Sequence, residues 1–252
     1  MKLLTVARDL RRRKARERQQ LFVAEGVRAV DELLRSPLKV TGVLIGPQFD
    51  DQSRAPALHA LIAQRSIPEQ RVDFREFASA AETDSPQGIL AIAETPSWRL
   101  GDIEMPAKAR LLVLDGVQDP GNVGTIVRTA EALGVTATYA LPGTVDLWNP
   151  KVVRSGMGSH FRHPCMSGTW DELDSFRAGR AFQTWGAGAD GVPMSSDPPP
   201  DRLALVVGNE GAGLSAETRA RVDRTVALPI SPTVESLNVA VATGILLYEL
   251  RA

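Results

Sequence analysis

The sequence predicts an α/β protein, with a carboxyl-terminal domain built on a parallel sheet and a smaller α/β domain before it. Short apolar runs such as Leu111–Leu114 and Leu203–Val207 are typical of strands buried on both faces of a parallel sheet. From Arg110 onward these runs alternate with stretches of helical periodicity. Such alternation is the pattern of successive strand–helix units, which form parallel sheets.

Residues 1–95 are expected to form the smaller domain. Residues 1–36 have helical periodicity and are predicted to be helical, and strands are predicted at Val40–Ile45 and Gly88–Ala93. Residues 96–109 mix prolines and charges without a clear period. We therefore predict a linker there.

Residues 110–252 are expected to form the larger domain, which opens with a strand, a glycine-bearing loop and a helix. The first strand, Leu111–Leu114, is bounded by Asp115 and Gly116, and apolar residues resume with helical spacing from Val123 to Leu133. In open α/β sheets, ligands bind beyond the carboxyl ends of strands. The loop between this strand and this helix is therefore a candidate binding loop.

The end of the chain continues the alternation. A helix is predicted at Ser215–Val222, a short strand at Val226–Pro229 and a last helix at Ser236–Leu250, while Asp197–Asp201 is predicted to be a rigid proline connector. The last helix is apolar nearly all round. Such a helix is buried in the fold or in an oligomer interface.

Composition excludes several classes of protein. The single cysteine, Cys165, excludes an internal disulfide framework, and with three histidines and no HExxH pattern we expect no metal site. No apolar run reaches the roughly 18 residues of a membrane helix, and the amino-terminal residues lack a signal-peptide pattern. The expectation is a cytoplasmic protein without a membrane partner.

A basic segment lies near the amino terminus. Residues 8–18 hold seven basic side chains against two acidic ones, although the whole chain has a formal net charge of −1. Such a run is either a solvated helix face or an arm that contacts nucleic-acid phosphates. The candidate RNA-binding residues are Arg11, Arg12, Arg13, Lys14, Arg16 and Arg18.

Two glycine patterns compete for a nucleotide-like ligand. Gly186–Gly191 matches GxGxxG, but prolines follow where the dinucleotide fingerprint requires a helix, so we predict a turn. Gly208–Gly213 lies between a predicted buried strand and a predicted helix, and its glycines allow a ligand to approach the backbone closely. Its carboxylate, Glu210, disfavours a phosphate and suits a cationic or hydroxyl-bearing ligand. The alternative is a tight turn with a solvated glutamate.

Two further groups of polar residues stand at helix starts. Ser236 and Asn238 follow the strand end Leu228-Pro229-Ile230, where helix capping is the alternative explanation. Asn122 and Arg128 lie in the first turns of the opening helix. For Arg128 the alternative is a surface ion pair with Glu131.

Together, these stretches resemble the three motifs of the SpoU (TrmH-type) family of SPOUT RNA 2′-O-ribose methyltransferases. The similar segments are Asp119–Ala130, Gly208–Leu214, and Leu228–Ile230 with Glu235–Ala240. The resemblance covers residues 110–250 in the family's order. At the amino end, Phe22–Gly26 and Pro86–Gly88 are similar to the family's substrate-binding extension.

The resemblance implies a parallel α/β domain with a carboxyl-terminal trefoil knot, bound S-adenosylmethionine, and a homodimer whose active site receives residues from both subunits. The implied catalytic residues are Asn122, Arg128, Glu210, Ser236 and Asn238. The implied cofactor-binding residues are Gly208, Asn209, Gly211, Leu228, Ile230 and Leu237. Pro232 stands where the family often has glycine.

The implied function is transfer of a methyl group from S-adenosylmethionine to a ribose 2′-hydroxyl, with ribosomal RNA as the expected substrate. The alternatives are transfer RNA as the substrate, an RNA-binding protein of this fold without catalysis, or a small-molecule enzyme. We expect Arg128 to grip a phosphate next to the target ribose, because a guanidinium is too weak an acid to serve as a base at neutral pH. The resemblance leaves a second role open, in which Arg128 itself accepts the hydroxyl proton. The resemblance leaves two roles open for Glu210, attraction of the sulfonium or organisation of the loop.

Overall fold

The computed structural model describes residues 2–194 and 198–251, so Asp197 of the predicted proline connector lies outside the described residues. The helices are α1 (Leu3–Asp9), α2 (Arg13–Gln19), α3 (Val27–Arg35), α4 (Ala55–Gln64), α5 (Phe74–Ala80), α6 (Pro120–Ala132), α7 (Pro150–Ser155), α8 (Trp170–Arg177), α9 (Ala216–Arg221) and α10 (Val239–Glu249). The strands are β1 (Leu21–Glu25), β2 (Val40–Ile45), β3 (Glu69–Arg71), β4 (Ile89–Glu94), β5 (Ala109–Asp115), β6 (Ala137–Ala140), β7 (Cys165–Ser167), β8 (Gln183–Pro193), β9 (Arg202–Gly208) and β10 (Arg224–Ala227).

The chain forms two compact units. The first contains residues 1–97 and 148–162, and the second contains residues 98–147 and 163–252. A four-stranded mixed sheet in the order β1-β4-β2-β3 organises the first unit. A six-stranded sheet in the order β10-β8-β9-β5-β6-β7 organises the second.

The six-stranded sheet confirms the predicted parallel α/β architecture, because every neighbouring pair of strands in it is parallel. Its strand β5 is buried along its whole length, as its continuous apolar run predicted. In the register of β5 with β9, Asp115 lies beside Gly208. The loops that leave these two strands therefore start next to each other.

The domain boundaries differ from the predicted ones in two places. Much of the predicted linker, residues 96–109, packs on the core of the second unit, where Leu100 is buried and Trp98, Ile103 and Met105 are partly buried. Residues 148–162 belong to the first unit. The physical reason is an aromatic cluster, in which the ring of Phe22 lies 4.5 Å from that of Trp148 and 5.8 Å from that of Phe161.

Two local predictions are wrong. Leu21–Glu25 is not helical but forms β1, which pairs with β4 over its whole length. Gly186–Gly191 is not a turn but part of β8, at a point where the register with β10 shifts. A Cβ on Gly191 would lie 2.5 Å from the carbonyl carbon of Val226, so glycine lets the two strands approach at this irregularity.

His163 is expected to make the stability of the protein depend on pH. Burial lowers the pKa of His163 to about 4, against a smaller opposing effect of the Glu131 carboxylate. In the unfolded chain the histidine has a pKa near 6.5, so between pH 6.5 and pH 4 it binds a proton that it does not bind in the folded state. Stability from this group is complete above pH 6.5 and is lost as the pH falls towards 4.

We expect the free energy of unfolding to decrease by about 2 kcal/mol between pH 7 and pH 5 because of this group. Denaturant titrations at the two pH values measure the change. The variant His163→Gln should lack this part of the pH dependence, whereas His59→Gln, at a partly exposed histidine, should keep it. Equal pH dependence of the wild type and His163→Gln would contradict the assignment.

Among the described residues, no helix has the length and apolar character needed to cross a membrane.

Candidate active site

The loop after β5 delivers Asn122 to the first turn of α6. Asp119 is the N-cap of this helix, and its Oδ1 accepts a hydrogen bond of 2.7 Å from the amide of Asn122. Pro120 occupies the first helical position, where its missing N–H is not needed. The Asp-Pro pair thus sets where the helix begins.

A chain of hydrogen bonds joins the three sequence motifs. The side-chain amide of Asn122 donates to Glu210 Oε1 at 3.0 Å, and that of Asn238 donates to Asn122 Oδ1 at 3.0 Å. Asn238 Oδ1 in turn accepts from the amides of Ala240 and Val241 at 2.9 and 3.3 Å. Each motif therefore contributes one side chain to a single relay, Glu210–Asn122–Asn238.

Both ends of this relay fix the orientation of the two asparagine amides. An ionised carboxylate only accepts hydrogen bonds, so Asn122 must turn its NH₂ towards Glu210 and its oxygen towards Asn238. The free amides at the start of α10 only donate, so Asn238 must turn its oxygen towards the helix. The two requirements agree, which assigns the amide orientations without ambiguity.

Asn238 caps a helix, which the sequence offered as the alternative to a role in the site, and it also contacts another motif. It is the N-cap of α10, and it also holds Asn122. Because the cap is Asn238, α10 begins at Val239 rather than at Ser236 as predicted. Ser236 lies exposed in the preceding loop.

Glu210 is held by the loop that follows β5. The amides of Asp119 and Gln118 donate to its carboxylate at 3.2 and 3.4 Å, in addition to Asn122. Partial burial raises the pKa of Glu210, but these hydrogen bonds outweigh burial, and the pKa lies below its ordinary value. At neutral pH the carboxylate is ionised and weakly basic, which suits an anchor better than a proton acceptor.

The loop after β9 is shaped by Asn209 and by close backbone approach. The side chain of Asn209 donates to the carbonyl of Gly116 at 2.9 Å and accepts from the amides of Gly211 and Ala212, both at 3.0 Å. A Cβ on Gly208 would lie 2.3 Å from the carbonyl carbon of Gly213. Glycine is therefore required at 208, and the Asn209 side chain organises the loop.

The loop between β10 and α10 presents apolar side chains to solvent. Ile230 is 37% exposed and Leu237 is 36% exposed, and Leu228 is partly buried. All three belong to the predicted cofactor-binding set. Exposed apolar groups next to polar backbone are suited to a ligand with an aromatic base and hydrogen-bonding edges.

Arg128 is exposed on α6, two turns after the helix start. Within residues 2–194 and 198–251 its guanidinium forms no ion pair or hydrogen bond, so the alternative of a surface pair with Glu131 is wrong. An unpaired guanidinium offers a fork of donors that matches a phosphate.

A groove of about 510 Å³ lies between α6 and α10. Asn122 and Asn238 form part of its wall, together with the exposed apolar side chains Val241, Ile245 and Tyr248 of α10. The opposite face of α10 is buried. Helix α10 thus has two apolar faces, one packed against the protein and one exposed to solvent.

Most of the basic run in the first unit is engaged within the protein. Arg16 is buried and donates to the carbonyls of Leu10 and Arg11 at 2.7 and 2.9 Å, so its prediction as an RNA contact is wrong. Ion pairs join Arg11 to Glu82, Arg12 and Arg18 to Asp9, and Arg13 to Glu17. Lys14 is exposed and forms no ion pair with any described residue.

In the part of the chain that the structure describes, His, Cys, Asp and Glu side chains form no group of three that could hold a metal ion.

Comparison with known proteins identifies the family. Residues 109–248, which include all three motifs, match the SpoU rRNA Methylase family. The chain belongs to this family. Residues 5–91 match the MRM3-like substrate binding domain.

Relatives of this SpoU-family chain match it over nearly its full length. The 23S rRNA (guanosine(2553)-2′-O)-methyltransferase RlmP of Bacillus subtilis is 35% identical over 97% of this chain and 94% of its own. An AdoMet-bound rRNA methyltransferase from Sinorhizobium meliloti is 27% identical, with a TM-score of 0.85, and the match covers 99% of this chain and 94% of that one. The SpoU methyltransferase AviRb from Streptomyces viridochromogenes, in complex with AdoMet, is 26% identical with a TM-score of 0.85, covering 99% and 97%.

Sequence reasoning missed some groups that form the site. The amides of Gln118 and Asp119, which hold Glu210, carry no side-chain signal. The capping role of Asp119 could have been inferred from the Asp-Pro pair, because an N-cap followed by proline is a helix-start signal.

Proposed function

We propose that this protein transfers a methyl group from S-adenosylmethionine to a ribose 2′-hydroxyl of ribosomal RNA. The observation that carries the proposal is the Glu210–Asn122–Asn238 relay, which joins the three family motifs next to the carboxyl ends of the neighbouring strands β5 and β9. A protein that had lost catalysis would have no reason to keep this relay beside an Arg128 that has no partner among the described residues. The names of the full-length relatives support ribosomal RNA as the substrate class.

When bound, S-adenosylmethionine would supply a methyl group on a sulfonium: the O–CH₃ bond to the 2′-oxygen would form as the S–CH₃ bond breaks, leaving the neutral thioether, with the hydroxyl proton passing to solvent. The residues that would hold the cofactor are the backbone of Gly208 and Gly211 and the loop containing Leu228, Ile230 and Leu237. The fit is good, because the backbone of Gly211 is exposed and carries no side chain, and Ile230 and Leu237 leave apolar surface exposed. Asn209 acts here through the loop shape that its side chain maintains.

Arg128 binds the RNA phosphate next to the target ribose in this proposal. Its guanidinium is exposed and unpaired among the described residues, and a bidentate contact to phosphate fixes both position and orientation. Asn122 and Asn238 are oriented by the relay, and Ser236 is an exposed hydroxyl in the adjoining loop. In the first unit, Lys14 is the member of the basic run that is available to RNA, with the ion-paired arginines able to exchange partners.

We also propose that the protein is a homodimer and that its carboxyl-terminal part is knotted, as in the SPOUT fold. Val241, Ile245 and Tyr248 are 52%, 42% and 54% exposed, and their spacing places them on one face of α10. Monomeric proteins rarely leave such an apolar patch open to water. A second copy of the chain would cover it.

The variant Ile245→Asp is expected to convert the dimer into a monomer, because a carboxylate would be buried in the apolar interface. Light scattering after size-exclusion chromatography measures the mass. The control is Val192→Asp, at an apolar side chain of β8 that is 54% exposed and is not part of the groove wall. Equal masses for the wild type and Ile245→Asp, whether dimeric or monomeric, would contradict the proposed interface.

The function itself is tested by mapping 2′-O-methyl groups in total RNA from cells with and without the gene. We expect one or a few ribosomal RNA positions to lose their methyl group and to regain it when purified protein and S-adenosylmethionine are added. Loss from transfer RNA would correct the substrate class. No change at any position would contradict the enzyme assignment.

A further inference from the structure

Both backbone polar groups of Gly116, the residue just after β5, form hydrogen bonds to side chains. Its N–H donates to the hydroxyl oxygen of Thr144 at 3.1 Å, and its carbonyl accepts from the side chain of Asn209 at 2.9 Å. Gly116 has a φ of +70°, in the left-handed region that favours glycine. The chain thus turns sharply at a residue whose donor and acceptor are both engaged.

Thr144 is a residue outside the three motifs. It is buried, and its hydroxyl donates to the carbonyl of Leu114 at 2.9 Å while accepting from Gly116. A second hydrogen bond beside it joins the amide of Val145 to the carbonyl of Val117 at 2.9 Å. The segment 144–145 therefore braces the start of the loop that leads to α6.

The same loop ends at the groups that hold Glu210. Gln118 and Asp119, whose amides donate to the Glu210 carboxylate, follow Gly116 by two and three residues. Asp119 then caps the helix that carries Asn122. A shift of the chain at Gly116 would therefore move the anchor of the whole relay.

We propose that Thr144 is a positioning residue for methyl transfer. Its hydroxyl fixes the path of the chain at Gly116 and so places the Gln118 and Asp119 amides, Glu210 and Asn122 in the geometry that the reaction needs. Thr144 touches neither RNA nor cofactor in this proposal. A displacement of about 1 Å in such a framework lowers a rate by about 10²-fold.

The inference rests on the proposed function, and its test compares Thr144→Val with Thr144→Ser. Valine has nearly the shape of threonine but leaves the Gly116 N–H and one hydrogen bond of Leu114 unmet, whereas serine keeps the hydroxyl. The rate constant for methylation is measured at saturating RNA and S-adenosylmethionine. Affinity for S-adenosylmethionine is measured separately by calorimetry.

We expect Thr144→Val to lower the saturated rate about 10-fold or more, with cofactor affinity changed less than about 3-fold. Thr144→Ser should stay within about 2-fold of the wild-type rate. An unchanged rate in the valine variant, an equal loss in the serine variant, or a loss that matches the fraction of unfolded protein would overturn the proposal.

A structural readout separates this proposal from the proposed function. Hydrogen exchange of the Gly116 amide should accelerate in Thr144→Val and not in Thr144→Ser, and the side-chain NH₂ resonances of Asn122 should shift only in the valine variant. Both signals report the hydrogen bond between Thr144 and Gly116, whether or not ribosomal RNA proves to be a substrate. Unchanged exchange and unchanged Asn122 resonances in Thr144→Val would overturn the positioning role by themselves.

Discussion

Replacement of Arg128 by lysine is expected to lower the methylation rate at saturating substrates by about 10²-fold while leaving RNA affinity within about 3-fold of the wild type. Lysine keeps the positive charge, so it keeps most of the attraction for the phosphate. It lacks the planar fork that binds two phosphate oxygens at once and thereby fixes the ribose. Single-turnover kinetics and an RNA-binding titration at the same salt concentration measure the two effects.

The control for Arg128→Lys is Arg99→Lys, an exposed arginine outside the three motifs. We expect this variant to match the wild type in both measurements. If Arg128→Lys kept the full rate, a bidentate grip would be excluded. If it lost rate and RNA affinity in the same proportion, Arg128 would act in binding alone.

Replacement of Glu210 by glutamine is expected to lower the saturated rate by about 10- to 100-fold. Glutamine has nearly the same shape, but it brings an NH₂ group to a place where three N–H donors converge, from Asn122, Asp119 and Gln118. One donor must then lose its acceptor, and the orientation of the asparagine amides is no longer imposed. The side chains of the relay would still be in place, but their amide groups would no longer be held in one orientation.

The rate profile with pH distinguishes this role of Glu210 from proton transfer. The pKa of Glu210 lies below its ordinary value, so its carboxylate is ionised throughout the neutral range. As an anchor, its replacement should lower the rate by the same factor at pH 6 and pH 8. As a proton acceptor, its loss would change the slope of the profile. Glu217→Gln, at an exposed glutamate in the first turn of α9, is the control.

Much of the fold follows from local patterns in the sequence. The apolar runs of β5 and β9 identify buried parallel strands, because a strand covered on both faces needs no polar alternation. The start of α9 at its cap Ser215 follows from capping chemistry. These features depend on residues close together in the chain, and so they can be predicted without tertiary contacts.

The three motifs also predict which residues belong to the site, but not how these residues contact one another. Asn122 and Asn238 are 116 positions apart, and Asn122 and Glu210 are 88 apart. Whether an amide caps a helix or meets another side chain depends on which loops the sheet brings together. The dual role of Asn238 and the anchoring of Glu210 therefore needed the tertiary structure.

The basic run and the predicted domain boundaries show the same distinction. A charge run identifies an electropositive segment, but Arg16 is drawn inward because its guanidinium satisfies the carbonyls of Leu10 and Arg11. Residues 148–162 join the first unit because Trp148 and Phe161 find Phe22, which is distant in sequence. The sequence by itself determined the family and the buried strands β5 and β9, and it predicted which residues react. Only the tertiary structure decided which polar side chains are available to a ligand, because hydrogen bonds and aromatic contacts between distant segments already engage the others.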